Sequence, residues 1–326
     1  MLKAEYQHRG KVPQDVIEAV QLELPPLAAG QALIKVLAAP INPSDVLTLT
    51  GEYGMLPPLP AIGGNEGVGR VEQLGDGVTN VKVGQTVLLP VGCGTWVTHL
   101  HAPAAKLIPL PDADPQQLAM MTINPPTASL LLSQFVDLQP GDWVIQNAAN
   151  SGVGGYLIQL AKLRGFKTIN VVRREAAVEG VKAEGGDVVL VDGPDLHKRV
   201  REATGGAKLM LGIDAVGGKA TDHVAACLSE GGTLVNYGLM SGEPCQVSAS
   251  SFVFRDVTLR GFWLAKWFQK ATPAEQMKVF GELTQLIAGG KLKARIAATY
   301  PVARIKDAIA AAASGERDGK ILIVAE

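Results

Sequence analysis

The stretch that most constrains this chain is Asp142–Lys162, DWVIQNAANSGVGGYLIQLAK. It reads as a short buried strand, a turn of small residues, and a helix with apolar positions at Leu157, Leu160, Ala161 and Leu163. Strand, tight turn and helix in that order aim the unpaired N–H groups of the helix at one point, which suits a pyrophosphate. The strict dinucleotide pattern has glycine at the first turn position. Here Ala148 or Ala149 stands there, so the turn alone could equally be a βα unit of any α/β protein. The next strand narrows the choice. Residues 167–172 (KTINVV) form a second apolar run, followed by Arg173 and Arg174. An acidic side chain at this strand end would bond the ribose 2′-hydroxyl of NAD, whereas arginine accommodates the 2′-phosphate of NADP. One such charge-assisted bond is worth roughly 1.5–3 kcal/mol, so the arginine pair favours NADPH over a plain solvated loop.

At 326 residues the chain is long enough for two domains with separate cores. A formal net charge of −1 offers no general attraction to nucleic acid or anionic membrane. No run nears the roughly 18 consecutive apolar residues of a spanning helix. The opening MLKAEYQHRGKVPQDV shows neither a secretion core nor an amphipathic leader, which sets a cytoplasmic expectation. Three scattered cysteines (93, 227, 245) and five histidines without ligand spacing give no disulfide framework, and no metal site is expected.

Residues 1–120 alternate short β-type runs (17–24, 31–39, 67–74, 86–90, 96–100) with turn signals, and 43–50 reads as a helix opened by proline. The spacing over 115–136 is helical. From 142 onward, strands expected at 142–147, 167–172, 187–191, 208–214, 232–237 and 257–262 alternate with helices starting near 151, 176, 195 and 218. That alternation predicts an α/β fold with a doubly wound, six-stranded parallel (Rossmann) sheet and a ligand at the strand C-terminal ends. A helix over 273–288, a strand over 296–300, a helix over 303–313 and a strand over 320–324 have no place in that sheet. They are expected to return to the first domain. The exposed edge at 257–262 suggests a homodimer joined through the sixth strand.

Eight segments, AAPINPSDVLTLTGEYG (38–54), GGNEGVG (63–69), INPPTA (123–128), QNAANSGVG (146–154), TINVVRRE (168–175), NYGLMSG (236–242), GFWLAKW (261–267) and GKILIV (319–324), together resemble the 2-enoyl thioester reductases, the trans-2-enoyl-CoA/ACP reductase branch of the medium-chain dehydrogenase/reductase superfamily. They run collinearly over nearly the whole chain. The resemblance implies a GroES-like catalytic domain (1–121 and 266–326), a dinucleotide-binding domain (122–265) and a homodimer. Zinc-containing members carry cysteine in the segment aligned with INPSD and histidine where Asn65 stands, and a four-cysteine lobe besides. None of these is present, so activation of a carbonyl falls to hydrogen bonds.

The implied reaction puts hydride on C3 of a conjugated enoyl thioester and charge on the thioester oxygen, and C2 then takes a proton. It demands a positioned donor and an acid. Tyr53 matches the family's catalytic tyrosine; a phenol is protonated at neutral pH and can donate. The resemblance further implies Asn124 on the nicotinamide side and Asn150, Ser151, Gly152 and Val153 at the pyrophosphate. Arg173 and Arg174 would take the 2′-phosphate. Tyr237, Gly238, Leu239, Met240, Phe262, Trp263, Leu264 and Lys320 would complete the cofactor contacts, with Trp263 also lining the acyl site. The family has an acidic residue between two basic ones after the second strand, whereas this chain reads Arg-Arg-Glu. Met120, Met121 and Met240 are expected to pack. Lys266, Lys270, Lys278, Lys291, Lys293 and Arg295 form either a solvated face or a patch for CoA phosphates or an acidic acyl carrier protein. Two other functions compete: an NADPH:quinone oxidoreductase of the same superfamily, and a non-catalytic NADPH-binding protein.

Overall fold

Two sequence textures give two units: Met1–Ile123 with Glu282–Glu326, and Asn124–Gly281. The structure is a computed structural model and describes residues 1–315 and 318–325. The first unit opens with β1 (Leu2–Tyr6) and β2 (Ile17–Gln21), an antiparallel pair. Next comes β3 (Gln31–Pro40), a long strand buried along most of its length. Helix α1 (Pro43–Thr50) starts with a reciprocal cap. The Asn42 backbone N–H donates to Asp45 Oδ2 at 2.7 Å, and proline follows where no N–H is needed. Strand β4 (Ala61–Ile62) pairs with β1. Strands β5 (Val68–Leu74), β6 (Thr86–Leu88), β7 (His99–Pro103) and β8 (Ile108–Pro109) build outward from β3, with β7 on its own branch.

The helical spacing of 115–136 yields two helices, α2 (Pro115–Leu118) and α3 (Asn124–Leu131). Pro125 and Pro126 cause the break: lacking N–H groups, they fit only the first turn of a helix, so a new one must start at Asn124.

In the second unit, β9 (Trp143–Gln146), α4 (Gly152–Leu163), β10 (Lys167–Val172), α5 (Val178–Ala183), β11 (Val188–Val191), α6 (Leu196–Thr204), β12 (Leu209–Asp214), α7 (Gly218–Cys227), β13 (Thr233–Asn236), α8 (Ala249–Arg255) and β14 (Thr258–Gly261) follow in turn. Every strand pairing is parallel, in the order β11-β10-β9-β12-β13-β14. The order reverses between β9 and β12, which opens the crevice where such sheets bind ligands. Helix α9 (Leu264–Lys270) lies within this unit. Its Phe268 stacks on Phe280 of α10 (Pro273–Ala288), with ring centroids 5.7 Å apart.

The tail rejoins the first unit. Strand β15 (Ile296–Tyr300) runs parallel to β16 (Lys320–Val324), which pairs antiparallel with β3. Helix α11 (Ile305–Ala313) buries Ile305, Ala308, Ile309 and Ala312 in the same core as Ile34, Leu49 and Trp96. Among the described residues no helix is long and apolar enough to cross a membrane.

Candidate active site

The phosphate-type turn takes its shape from small residues and buried amides. Ala148 has φ +47°, the left-handed conformation that glycine adopts in the strict pattern, so this chain accepts some backbone strain there. Ser151 caps α4, its Oγ accepting from Gly154 N at 3.1 Å. A Cβ at Gly154 would lie 2.4 Å from the Ala149 carbonyl oxygen, so only glycine lets turn and helix approach this closely. Gln146 Nε2 donates to Gly154 O (3.1 Å) and to Asn170 Oδ1 (2.8 Å), tying the turn to β10.

Asp214, at the end of β12, was not singled out in the sequence, yet it ties together the residue after β9, its own following loop, helix α7 and the end of β13. Its carboxylate accepts from Asn147 Nδ2 (2.6 Å), Thr221 Oγ1 (2.7 Å), Asn236 Nδ2 (2.9 Å) and the N–H groups of Val216 (2.9 Å) and Gly217 (3.2 Å). An acid closing a strand ahead of Ala-Val-Gly-Gly was the available signal.

Asn150, Ser151, Gly152 and Val153 sit at the start of α4. Arg173, exposed, and Arg174, half-buried, follow β10 directly. Tyr237, Gly238, Leu239 and Met240 follow β13, while Phe262, Trp263 and Leu264 follow β14. All of these therefore leave the same C-terminal edge of one parallel sheet. Ser151 and the Tyr237 side chain are hydrogen-bonded, and burial pushes the Tyr237 phenol well above its ordinary range. Met240 is exposed, contrary to the packing role expected of it, because it sits on the tip of the post-β13 loop; Met120 and Met121 are buried. Trp263 is half-buried at the entrance to α9, with Lys266 Nζ 5.9 Å from its ring centroid. Asn124 is buried at the first position of α3.

Lys320 belongs to the other unit, on β16, where it is 5% exposed. Its Nζ donates to Ile41 O (3.1 Å) and Asn42 Oδ1 (2.5 Å). Around it lies a buried polar cluster. Asn42 Nδ2 donates to Glu66 Oε1 (2.7 Å), Asn65 Nδ2 to Asp45 Oδ1 (2.7 Å), and the Thr122 and Ile123 N–H groups to Glu66 Oε2 (3.0 Å each). Burial raises the Asp45 carboxyl to about 6 against the stabilising Asn42 and Lys320 contacts. Burial likewise pushes Glu66 above the usual carboxylate range.

By the resemblance, Asn65 stands where zinc-containing members carry histidine, and Asn42 lies in the segment where they carry cysteine. Here two amides are engaged with carboxylates, and an ammonium sits against one of them. That donor set does not fit a tetrahedral zinc ion.

Above this cluster lies a cavity of about 280 Å³ whose lining includes Tyr6, Asp45, Tyr53, Asn65 and Trp96. Gly63 and Gly64 form its floor because the Trp96 ring lies on them; a Cβ at Gly63 would be 2.2 Å from that ring. Gly51 ends α1 in the left-handed conformation (φ +86°), and the N–H groups of Glu52 and Tyr53 then donate to Leu47 O (2.9 and 3.2 Å). The backbone of Tyr53 is thus fixed by a helix terminus while its side chain joins the cavity wall.

A six-stranded parallel dinucleotide sheet, combined with a GroES-like strand unit whose metal positions hold amides, defines a zinc-free medium-chain dehydrogenase/reductase. Two family profiles match the chain: "Alcohol dehydrogenase GroES-like domain" over residues 28–112 and "Zinc-binding dehydrogenase" over 152–280. The mitochondrial enoyl-[acyl-carrier-protein] reductase of Homo sapiens is 38% identical over 316 residues, covering 94% of this chain and 84% of that protein. Among solved structures, a putative NADPH:quinone reductase from Bacillus thuringiensis superposes with TM-score 0.89 at 30% identity, covering 100% of this chain and 99% of that one. The Etr1p/NADP/crotonyl-CoA complex superposes with TM-score 0.88 at 27% identity, covering 99% of each chain. The chain belongs to the enoyl-[acyl-carrier-protein] reductase family of the medium-chain dehydrogenases/reductases.

The comparisons overturn the cytoplasmic expectation. The human relative is mitochondrial, as are those of Bos taurus and Arabidopsis thaliana. The expectation rested on the lack of a leader pattern in the first residues, and such a lack carries no information about compartment.

Proposed function

We infer that this enzyme reduces the C2=C3 double bond of trans-2-enoyl thioesters with NADPH, giving saturated acyl thioesters without zinc. The observation that carries the reading is the likeness to enoyl reductases over nearly the full chain, together with a phenol, Tyr53, walling a cavity that Asn65 also lines. NADPH, when bound, supplies hydride to C3. The turn at 150–153, with its capped helix and the close approach at Gly154, suits the pyrophosphate. Arg173 and Arg174 at the end of β10 suit the 2′-phosphate. Asn124 and residues 237–240 and 262–264 complete the cofactor's set of contacts, with Trp263 also toward the acyl chain; Lys320, implied by the resemblance, is instead buried with its ammonium engaged by Ile41 and Asn42. As C3 accepts hydride, an electron pair moves to the thioester oxygen, and the Tyr53 hydroxyl donates to that oxygen. The electron pair then returns through C2, which takes a proton from a solvent water with release of hydroxide to the buffer, and the carbonyl is restored.

The active form is a homodimer joined along β14. All four residues of this edge strand are exposed, and the neighbouring α8 presents Val253 and Phe254, 71% and 78% exposed. Apolar surface beside an open strand edge is a place for a partner.

NADPH oxidation followed with C4, C10 and C16 enoyl-CoA, and with a benzoquinone, tests the reading. Turnover of the thioesters with little on the quinone is expected. Efficient quinone reduction with none on any enoyl-CoA would turn the assignment to a quinone reductase.

A further inference from the structure

The segment that follows β1, Gln7-His8-Arg9-Gly10, carries no chemistry in the mechanism, yet one of its side chains reaches both ends of the loop that bears Tyr53. The loop runs from Gly51, where α1 ends, to Pro57. Tyr53, Met55, Leu56 and Pro57 all line the cavity. At the first end, the aliphatic stem of Arg9 covers Gly51 so closely that a Cβ there would lie 3.3 Å from Arg9 Cδ. At the far end, Arg9 Nη2 donates to the Pro57 carbonyl oxygen. The guanidinium is also hydrogen-bonded to the side chain of Tyr6, a buried member of the cavity lining. The main chain next to Arg9 is held as well, because Gly10 N donates to Leu49 O in the last turn of α1 (3.2 Å). One residue therefore touches the helix terminus, the loop's exit and the cavity wall. Between Gly54 and Pro60 every residue is exposed, so the loop has little core packing of its own.

We propose that Arg9 is a positioning residue for the reduction, bracing the 51–57 loop at both ends so that the Tyr53 hydroxyl is held where the thioester oxygen develops charge. The proposal rests on the Tyr53 reading above. A planar fork with several donors is what the task requires, since one group must serve the Pro57 carbonyl and the Tyr6 side chain together. The lysine ammonium is a single point on a flexible stem and cannot hold both in one geometry. A misplacement of about 1 Å at a reacting group can cost on the order of a hundredfold in rate.

The test is a double-mutant cycle on crotonyl-CoA reduction with R9A, Y53F and R9A/Y53F, and with R9K beside them. R9A is expected to lower kcat by about ten- to a hundredfold while KM for NADPH stays at the wild-type value, and R9K to recover part of the loss. In the Y53F background R9A should cost nothing further, because a brace has no effect once the group it holds is gone. Full additivity of the two losses, or R9K or R9A turning over at the wild-type rate, overturns the proposal and leaves Tyr53 in place. Should R9A not fold, R9K and R9K/Y53F complete the same cycle. Y53F alone at the wild-type rate removes both the role of Tyr53 and the brace, and that single arm reports which reading has failed.

Discussion

At the scale of single residues, the buried polar cluster beside the cavity is held by hydrogen bonds, and its burial has an energetic signature. Asp45 is 3% exposed, and its carboxyl is raised to about 6 chiefly by burial. A carboxyl whose pKa is higher folded than unfolded binds its proton more tightly in the native state. Its burial penalty is therefore absent below the unfolded value near 4 and complete above about 6. Relative to wild type, Asp45→Asn should gain stability progressively as pH rises from about 4 to above 6, by as much as about 2–3 kcal/mol. Melting temperatures of both proteins across that range check this; a difference that does not change with pH contradicts the assigned burial. Little of this was legible in the chain. Tyr53 could be named only because its segment matched a family. Arg9 gave no pattern and Asp214 only that of an acid at a strand end, since their importance lies in partners such as Pro57 and Asn147, 48 and 67 residues away in sequence.

At the scale of elements, legibility followed burial. The interior strands β9, β10 and β12 are enclosed on both faces and so read as largely apolar runs, interrupted in β10 by the buried, hydrogen-bonded Thr168 and Asn170. Helices α1, α4 and α7 announced themselves through proline, serine or glycine at their starts. Helix α8 was not legible because its Phe252-Val253-Phe254 run has no polar face to show a helical period. The turn before α4 is the element on which the proposed pyrophosphate site depends. Gly154→Ala inserts a methyl 2.4 Å from a backbone oxygen. It should cost about 1–3 kcal/mol of stability and weaken NADPH binding, because relief requires the turn and the start of α4 to part. Calorimetric titration with NADPH checks this, and wild-type affinity in a folded Gly154→Ala protein contradicts the role given to the close approach.

At the scale of the whole molecule, the chain is two differently built units, one around a doubly wound parallel sheet and one rich in antiparallel strands. The proposed dimerisation through β14 and α8 belongs to this scale. Light scattering is expected to give twice the 34.2 kDa chain mass, and Phe254→Asp to give the single-chain mass; a wild-type monomer at micromolar concentration contradicts it. Whether the metal-free site works as described is decided most directly by kcat for crotonyl-CoA reduction in Tyr53→Phe, measured with NADPH affinity. Removal of an oxyanion donor predicts a loss of about a hundredfold or more with NADPH bound as tightly as before. A Tyr53→Phe enzyme that turns over at the wild-type rate contradicts the central claim.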